Sequence, residues 1–89
     1  MEIATQENTK PGTLVVREGK DWEYYSQGEG SDYGVVQDSD ESEGWVWVKW
    51  QKIDGTPKGE NSYRIGAMGK FDLYLYAGIT LDGKPKNTI

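Results

Sequence analysis

The sequence contains no cysteine and no histidine. Without cysteine, neither a disulfide nor a thiolate metal site can reinforce a small core. Without histidine, the chain lacks the usual general base at neutral pH and the commonest metal ligand. Serine and cysteine triads and histidine-based zinc sites are therefore excluded, and only a metal site of carboxylates alone stays open. Long apolar runs are also missing. No stretch approaches the roughly 20 residues of a membrane span. Residues 1–10 have neither the basic start nor the apolar run of a signal peptide. The expectation is a soluble intracellular protein, cytoplasmic or nuclear, with no cofactor and no membrane contact. Length is short too: 89 residues make one domain. A chain of this size buries only about 60–65% of the surface it exposes when unfolded, which argues against a large enclosed cavity.

The net charge is −5. Acids dominate residues 18–43, where Lys20 is the only base, whereas Lys49, Lys52, Lys58, Arg64, Lys70, Lys84 and Lys86 lie later. Phosphate contacts supply most of the affinity for nucleic acid, so an acidic chain with scattered lysines is a poor nucleic-acid binder. A basic or neutral peptide suits the charge better. The plainer reading is that the charge keeps the domain soluble.

Twelve glycines and three prolines divide the chain into short pieces. β-Branched and aromatic residues cluster between turn signals, the pattern of a small all-β sandwich or barrel. Strands are predicted at residues 13–17, 33–37, 45–50, 61–65 and 71–76. Residues 1–10 read as a flexible leader, 11–76 as the domain, and 77–89 as a tail or an extra edge strand. Residues 27–32, 38–44 and 54–59 read as polar loops, and 66–70 as a loop or a single helical turn. The run Trp45-Val46-Trp47-Val48-Lys49-Trp50 is the clearest strand. Successive side chains point to opposite faces. Val46, Val48 and Trp50 form the expected core face, with Trp45, Trp47 and Lys49 opposite. By the same alternation Leu73 and Leu75 face one way, and Asp72, Tyr74 and Tyr76 the other.

Several spacings together resemble the Mib/Herc2 domain, a module of large E3 ubiquitin ligases. Val15-Val16-Arg17 followed by Asp21-Trp22 is similar to the family's opening. Gln27-Gly28-Glu29-Gly30 and Gly34-Val35-Val36 resemble its glycine loop and next strand. Gly44-Trp45-Val46 and Val48-Lys49-Trp50 resemble its central strand, Asn61-Ser62-Tyr63-Arg64-Ile65-Gly66 its most distinctive run, and Gly69-Lys70-Phe71-Asp72-Leu73 its closing signature. The match covers residues 11–75. The chain departs from the pattern in having Tyr24 where a second tryptophan is usual and no aspartate after Gln27. It also has an extra residue between Arg17 and Asp21 and a longer loop after Trp50. The resemblance implies a small SH3-like β-barrel and a non-catalytic recognition role. In Mind bomb ligases such domains bind the cytoplasmic tails of Notch ligands. The chain then reads as one domain of a larger multidomain protein.

Three residue groups invite a chemical reading. Asp21, Asp72 and Arg64 could form a charge cluster, and a carboxylate pair can do acid–base work. A bidentate Asp–Arg pair that fixes a loop is the simpler account, since no nucleophile or oxyanion hole accompanies it. Gly28-Glu29-Gly30 lacks the glycine spacing of a phosphate loop. Asp38-Ser39-Asp40-Glu41 lacks the glycine and terminal glutamate of a calcium loop, and reads as a solvated hairpin tip.

The aromatic residues carry more. Trp22, Trp50, Tyr63 and Phe71 match family positions and read mostly as core. Trp47 and Tyr74 stand where the family is usually polar, on the less buried face, and exposed aromatics with a polar handle are enriched at binding sites. The leader or the tail could instead cover them as an extra strand. The expected function is a peptide-recognition module recruiting substrate or partner to a ubiquitin ligase, with Trp22, Tyr24, Trp47, Tyr63 and Arg64 lining the site. Arg64 would pair with a ligand carboxylate unless already used internally. The alternatives are a chromatin-type reader of modified histone tails, using an aromatic cage, and a structural spacer packed against neighbouring domains.

Overall fold

The structure, a computed structural model, describes residues 2–17 and 32–76. These residues form one antiparallel sheet of five strands: β1 (Leu14–Val16), β2 (Tyr33–Val36), β3 (Trp45–Gln51), β4 (Pro57–Arg64) and β5 (Tyr74–Leu75). The order across the sheet is β4-β3-β2-β1-β5. Among the described residues the single helical element is a 3-10 turn at Ala67–Gly69, where the sequence allows one turn. The all-β expectation holds. Among the described residues the ladders do not close the sheet: β4 and β5 are the outer strands of the five.

The core forms as alternation requires. Val46, Val48 and Trp50 point inward from β3, with Val15 from β1, Val36 from β2, Tyr63 from β4 and Leu73 and Leu75 from the last segment. Trp50 donates its indole N–H to the Tyr63 hydroxyl at 2.8 Å, and the two rings meet edge to face at 5.5 Å. Buried aromatics of this kind need a partner for their polar atom, and here each supplies the other's. Opposite Trp50 on β2 lies Gly34. A Cβ there would sit 2.3 Å from Val48 Cγ1 and 2.9 Å from the Trp50 ring, so the indole occupies the space that a side chain would take.

Two expectations are corrected. The loop predicted at 54–59 is shorter, because Asp54 accepts hydrogen bonds from the Thr56 amide at 2.9 Å and hydroxyl at 2.6 Å. That closes a tight turn and lets β4 begin at Pro57, with a bulge at Trp50/Gln51. Proline and glycine are tolerated there because β4 is an edge. The strand predicted at 71–76 is only Tyr74–Leu75, since Phe71 turns away to bridge Ile65. Residues 2–10, read from the sequence as a leader, make specific bonds to the rest of the domain. Ala4 donates to the Leu73 carbonyl at 2.9 Å, Leu75 donates to the Glu2 carbonyl at 2.8 Å, and Ala4 is fully buried. Asn8 folds the segment by accepting from the Thr5 amide at 2.8 Å and donating to the Ile3 carbonyl at 3.0 Å. Gln6 then reaches the Gly44 amide at 2.6 Å. The segment has too few apolar side chains to pack alone, but its backbone finds a sheet edge that needs partners.

Candidate functional site

The face of the sheet opposite the core carries the candidate residues. Register places Trp45 beside Arg64, Trp47 beside Ser62 and Lys49 beside Glu60 on this face. Trp45 and Trp47 are half-buried. The Trp47 indole N–H donates to Glu60 Oε1 at 2.6 Å. Glu60 lies diagonally across the ladder, a separation that long side chains span. The Ser62 hydroxyl, directly opposite Trp47, donates to Glu41 Oε1 at 3.1 Å. One carboxylate, from β4, thus holds the indole, and a second, from the acidic β2–β3 loop, is held by the residue opposite Trp47 in the ladder. That loop also holds Asp38, Asp40 and Glu43. A half-buried aromatic ring with a fixed carboxylate beside it offers flat contact area and attraction for a cation. Among the described residues, no three carboxylates converge to hold a metal ion.

The other expected site residues are placed differently. Tyr63 is fully buried and presents no surface to a ligand. Its phenol is pushed above its ordinary value by burial, a shift opposed by the hydrogen bond from Trp50. Arg64 is committed inside the molecule. Its Nε donates to Asp72 Oδ2 at 2.8 Å and its Nη2 to Asp72 Oδ1 at 2.6 Å, the bidentate geometry in which guanidinium and carboxylate fit best. The Arg64 amide donates to Asp72 Oδ2 as well, at 2.8 Å. Both side chains are largely shielded, with 12% and 5% exposure. The pair holds the end of β4 to the segment before β5, where the Asp72 amide donates to the Arg64 carbonyl at 3.0 Å. Arg64 is therefore a fastening, and its guanidinium is not held out for a partner's carboxylate. Trp22, Tyr24 and the third member of the expected charge cluster, Asp21, lie outside the described residues.

Tyr74 is half-buried, and Ile3 of the leader bridges it. At that position the leader pairs with β5 through a single isolated bridge. Near it Tyr76 stacks on Tyr33 with ring centroids 5.5 Å apart, and Gln51 donates to the Tyr33 hydroxyl at 2.7 Å. Glu41 and Glu60 were not among the expected site residues. The sequence signal for Glu60 is the β3–β4 register, and that register depends on the tight turn that Asp54 closes, which the polar run 54–59 does not reveal.

A family model, Mib_herc2, matches residues 12–77. The matched span contains all five strands, the Trp50–Tyr63 core pair and the Arg64–Asp72 fastening. With most of its length inside that match, the chain belongs to the Mib_herc2 family.

Proposed function

We propose that this domain is a non-catalytic recognition module, binding a protein or extended peptide on behalf of a larger E3 ubiquitin ligase. The observation that carries the proposal is Trp47. It stands on the non-core face of the central strand, half-buried, with its indole N–H fixed by Glu60. A large aromatic held in one orientation loses little entropy when a partner covers it, which is why such residues dominate binding energy at interfaces. Family membership supports the ligase setting. The site is read as Trp47 with Glu60 and Glu41, and with Trp22 and Tyr24 as further members.

The same reading takes the sheet as the larger part of an SH3-like barrel. The Ile65–Phe71 bridge and the Arg64–Asp72 pair support it, because they draw the end of β4 toward β5 at one end of the sheet.

The test is an amide-resolved NMR titration of the whole chain with a pool of acidic, basic and methylated peptides. Shifts centred on Trp47 and its neighbours, abolished by Trp47→Ala, are the expected result. An unchanged spectrum at millimolar peptide would sink the short-peptide reading and favour a domain that packs against its neighbours in the parent protein.

A further inference from the structure

The two edges of the sheet differ. Beside β5 the leader supplies hydrogen bonds from residues 2–4. At the other edge, β4 has no neighbouring strand among the described residues. In an antiparallel ladder, alternate residues turn their peptide groups toward the partner strand and away from it. The contacts of β4 identify which are which. The Ile65 amide bonds back to Gly44, at the start of β3, whereas the Arg64 amide and carbonyl bond outward to Asp72. By the same parity Glu60 and Ser62 turn their peptide groups to the open edge. The Ser62 amide is held by the Asn61 side chain at 2.8 Å. That leaves the Glu60 amide and the Glu60 and Ser62 carbonyls facing outward at the edge. An exposed edge of this kind is a template for another strand, and natural sheets usually block it.

We propose that the open edge of β4 takes an extended, lysine- or arginine-bearing segment of the partner as an added strand, with Glu60 and Glu41 beside Trp47 receiving its basic side chain. The inference rests on the recognition reading above and names the partner's chemistry. Backbone pairing to Glu60 and Ser62 supplies attachment, and side chains at alternate positions supply selectivity. A residue of the added strand opposite Glu60 or Ser62 has its Cβ about 4.5–5.5 Å away on the outer face. From there a lysine or arginine reaches the Glu60 carboxylate that fixes the indole and the Glu41 carboxylate on Ser62. Its charge then lies near the Trp47 ring, where cation–π attraction adds to the carboxylates. The acids of this corner, Glu60 and residues 38, 40, 41 and 43, outnumber its lysines, Lys49 and Lys58. An acidic segment would meet repulsion here.

The test is selection of random twelve-residue peptides displayed against the whole chain, followed by NMR of the chain with the peptides recovered. The expected peptides carry lysine or arginine at alternate positions between β-branched residues. On binding, exchange of the Glu60 amide slows and the Trp47 indole resonance shifts. Methylating the peptide backbone nitrogens that face β4 weakens binding tenfold or more, and methylating the alternate set does not. Glu41→Gln with Glu60→Gln weakens binding about threefold to tenfold, the range of partly exposed ion pairs. Peptides that bind without protecting Glu60, or that are acidic, would overturn the edge proposal and leave recognition standing. Recovery of no peptide would overturn both. A peptide-free dimer that protects the Glu60 amide would overturn the proposal by showing that a second copy occupies the edge.

Discussion

Asp72 accepts three N–H groups from Arg64, from its amide, Nε and Nη2. Asp72→Ala removes all three acceptors at once and leaves a guanidinium whose side chain is only 12% exposed. Breaking one partner of a buried ion pair costs about 3–5 kcal/mol, because the remaining charge is uncompensated. At roughly 0.05–0.15 kcal/mol per residue, a chain of 89 residues has a total stability of about 4–13 kcal/mol. The substitution should therefore remove about a quarter of the stability or more, and at the low end of that range unfold the domain. Urea unfolding followed by tryptophan fluorescence measures this directly. The companion variant Arg64→Met with Asp72→Leu removes both charges and replaces them with apolar groups of similar bulk. It should recover most of the loss, short of about 1 kcal/mol for the Arg64 amide left without its acceptor. An Asp72→Ala midpoint equivalent to less than about 1 kcal/mol of destabilisation would refute the fastening role. A double variant as unstable as the single one would refute the electrostatic reason for it.

Gly34→Ala should cost about 1–3 kcal/mol in the same unfolding assay, the usual range for overpacking, since its Cβ would meet Val48 and the Trp50 ring below 3 Å. Trp47→Ala should change stability by about 1 kcal/mol or less, as for a lost cross-strand pair, while abolishing peptide binding by titration. Deleting residues 1–10 should lower the thermal midpoint, because the strand-like bonds of Glu2 and Ala4 and the burial of Ala4 are lost. An unchanged midpoint would mean that the leader contributes nothing to the fold. Burial raises the Tyr63 phenol above its ordinary value of 10.0. The folded state then holds this proton at a pH where the unfolded state has released it, so stability is full below about pH 10 and falls as pH rises toward the folded value. Tyr63→Phe should be less stable at neutral pH, through loss of the Trp50 partner, and should show a shallower decline in urea midpoint between about pH 9 and 11. Parallel declines would argue against a raised Tyr63.

Some features were legible in the sequence because they are local. The alternation of 45–50 identified Val46, Val48 and Trp50 as core, and side-chain period alone decides that. The family motifs identified the domain, and Arg64 and Asp72 within them carried a structural pairing as the simpler reading. Other features depended on partners distant in sequence. Tyr63 fits both the expected core and the expected site from sequence, and register decides it by setting Tyr63 opposite Val46 and Trp47 opposite Ser62. The leader has almost no apolar pattern, and only the unpaired edge of β5 gives its backbone a reason to be ordered. Sequence by itself thus determined the all-β class, the family and the inward face of the central strand, because these follow from composition and from a two-residue period. Only the tertiary structure decided which carboxylate holds the Trp47 indole, which edge lacks a neighbour among the described residues and where Arg64 spends its charge. Each of these depends on cross-strand register, and a shift of one residue in a turn reassigns every cross-strand neighbour.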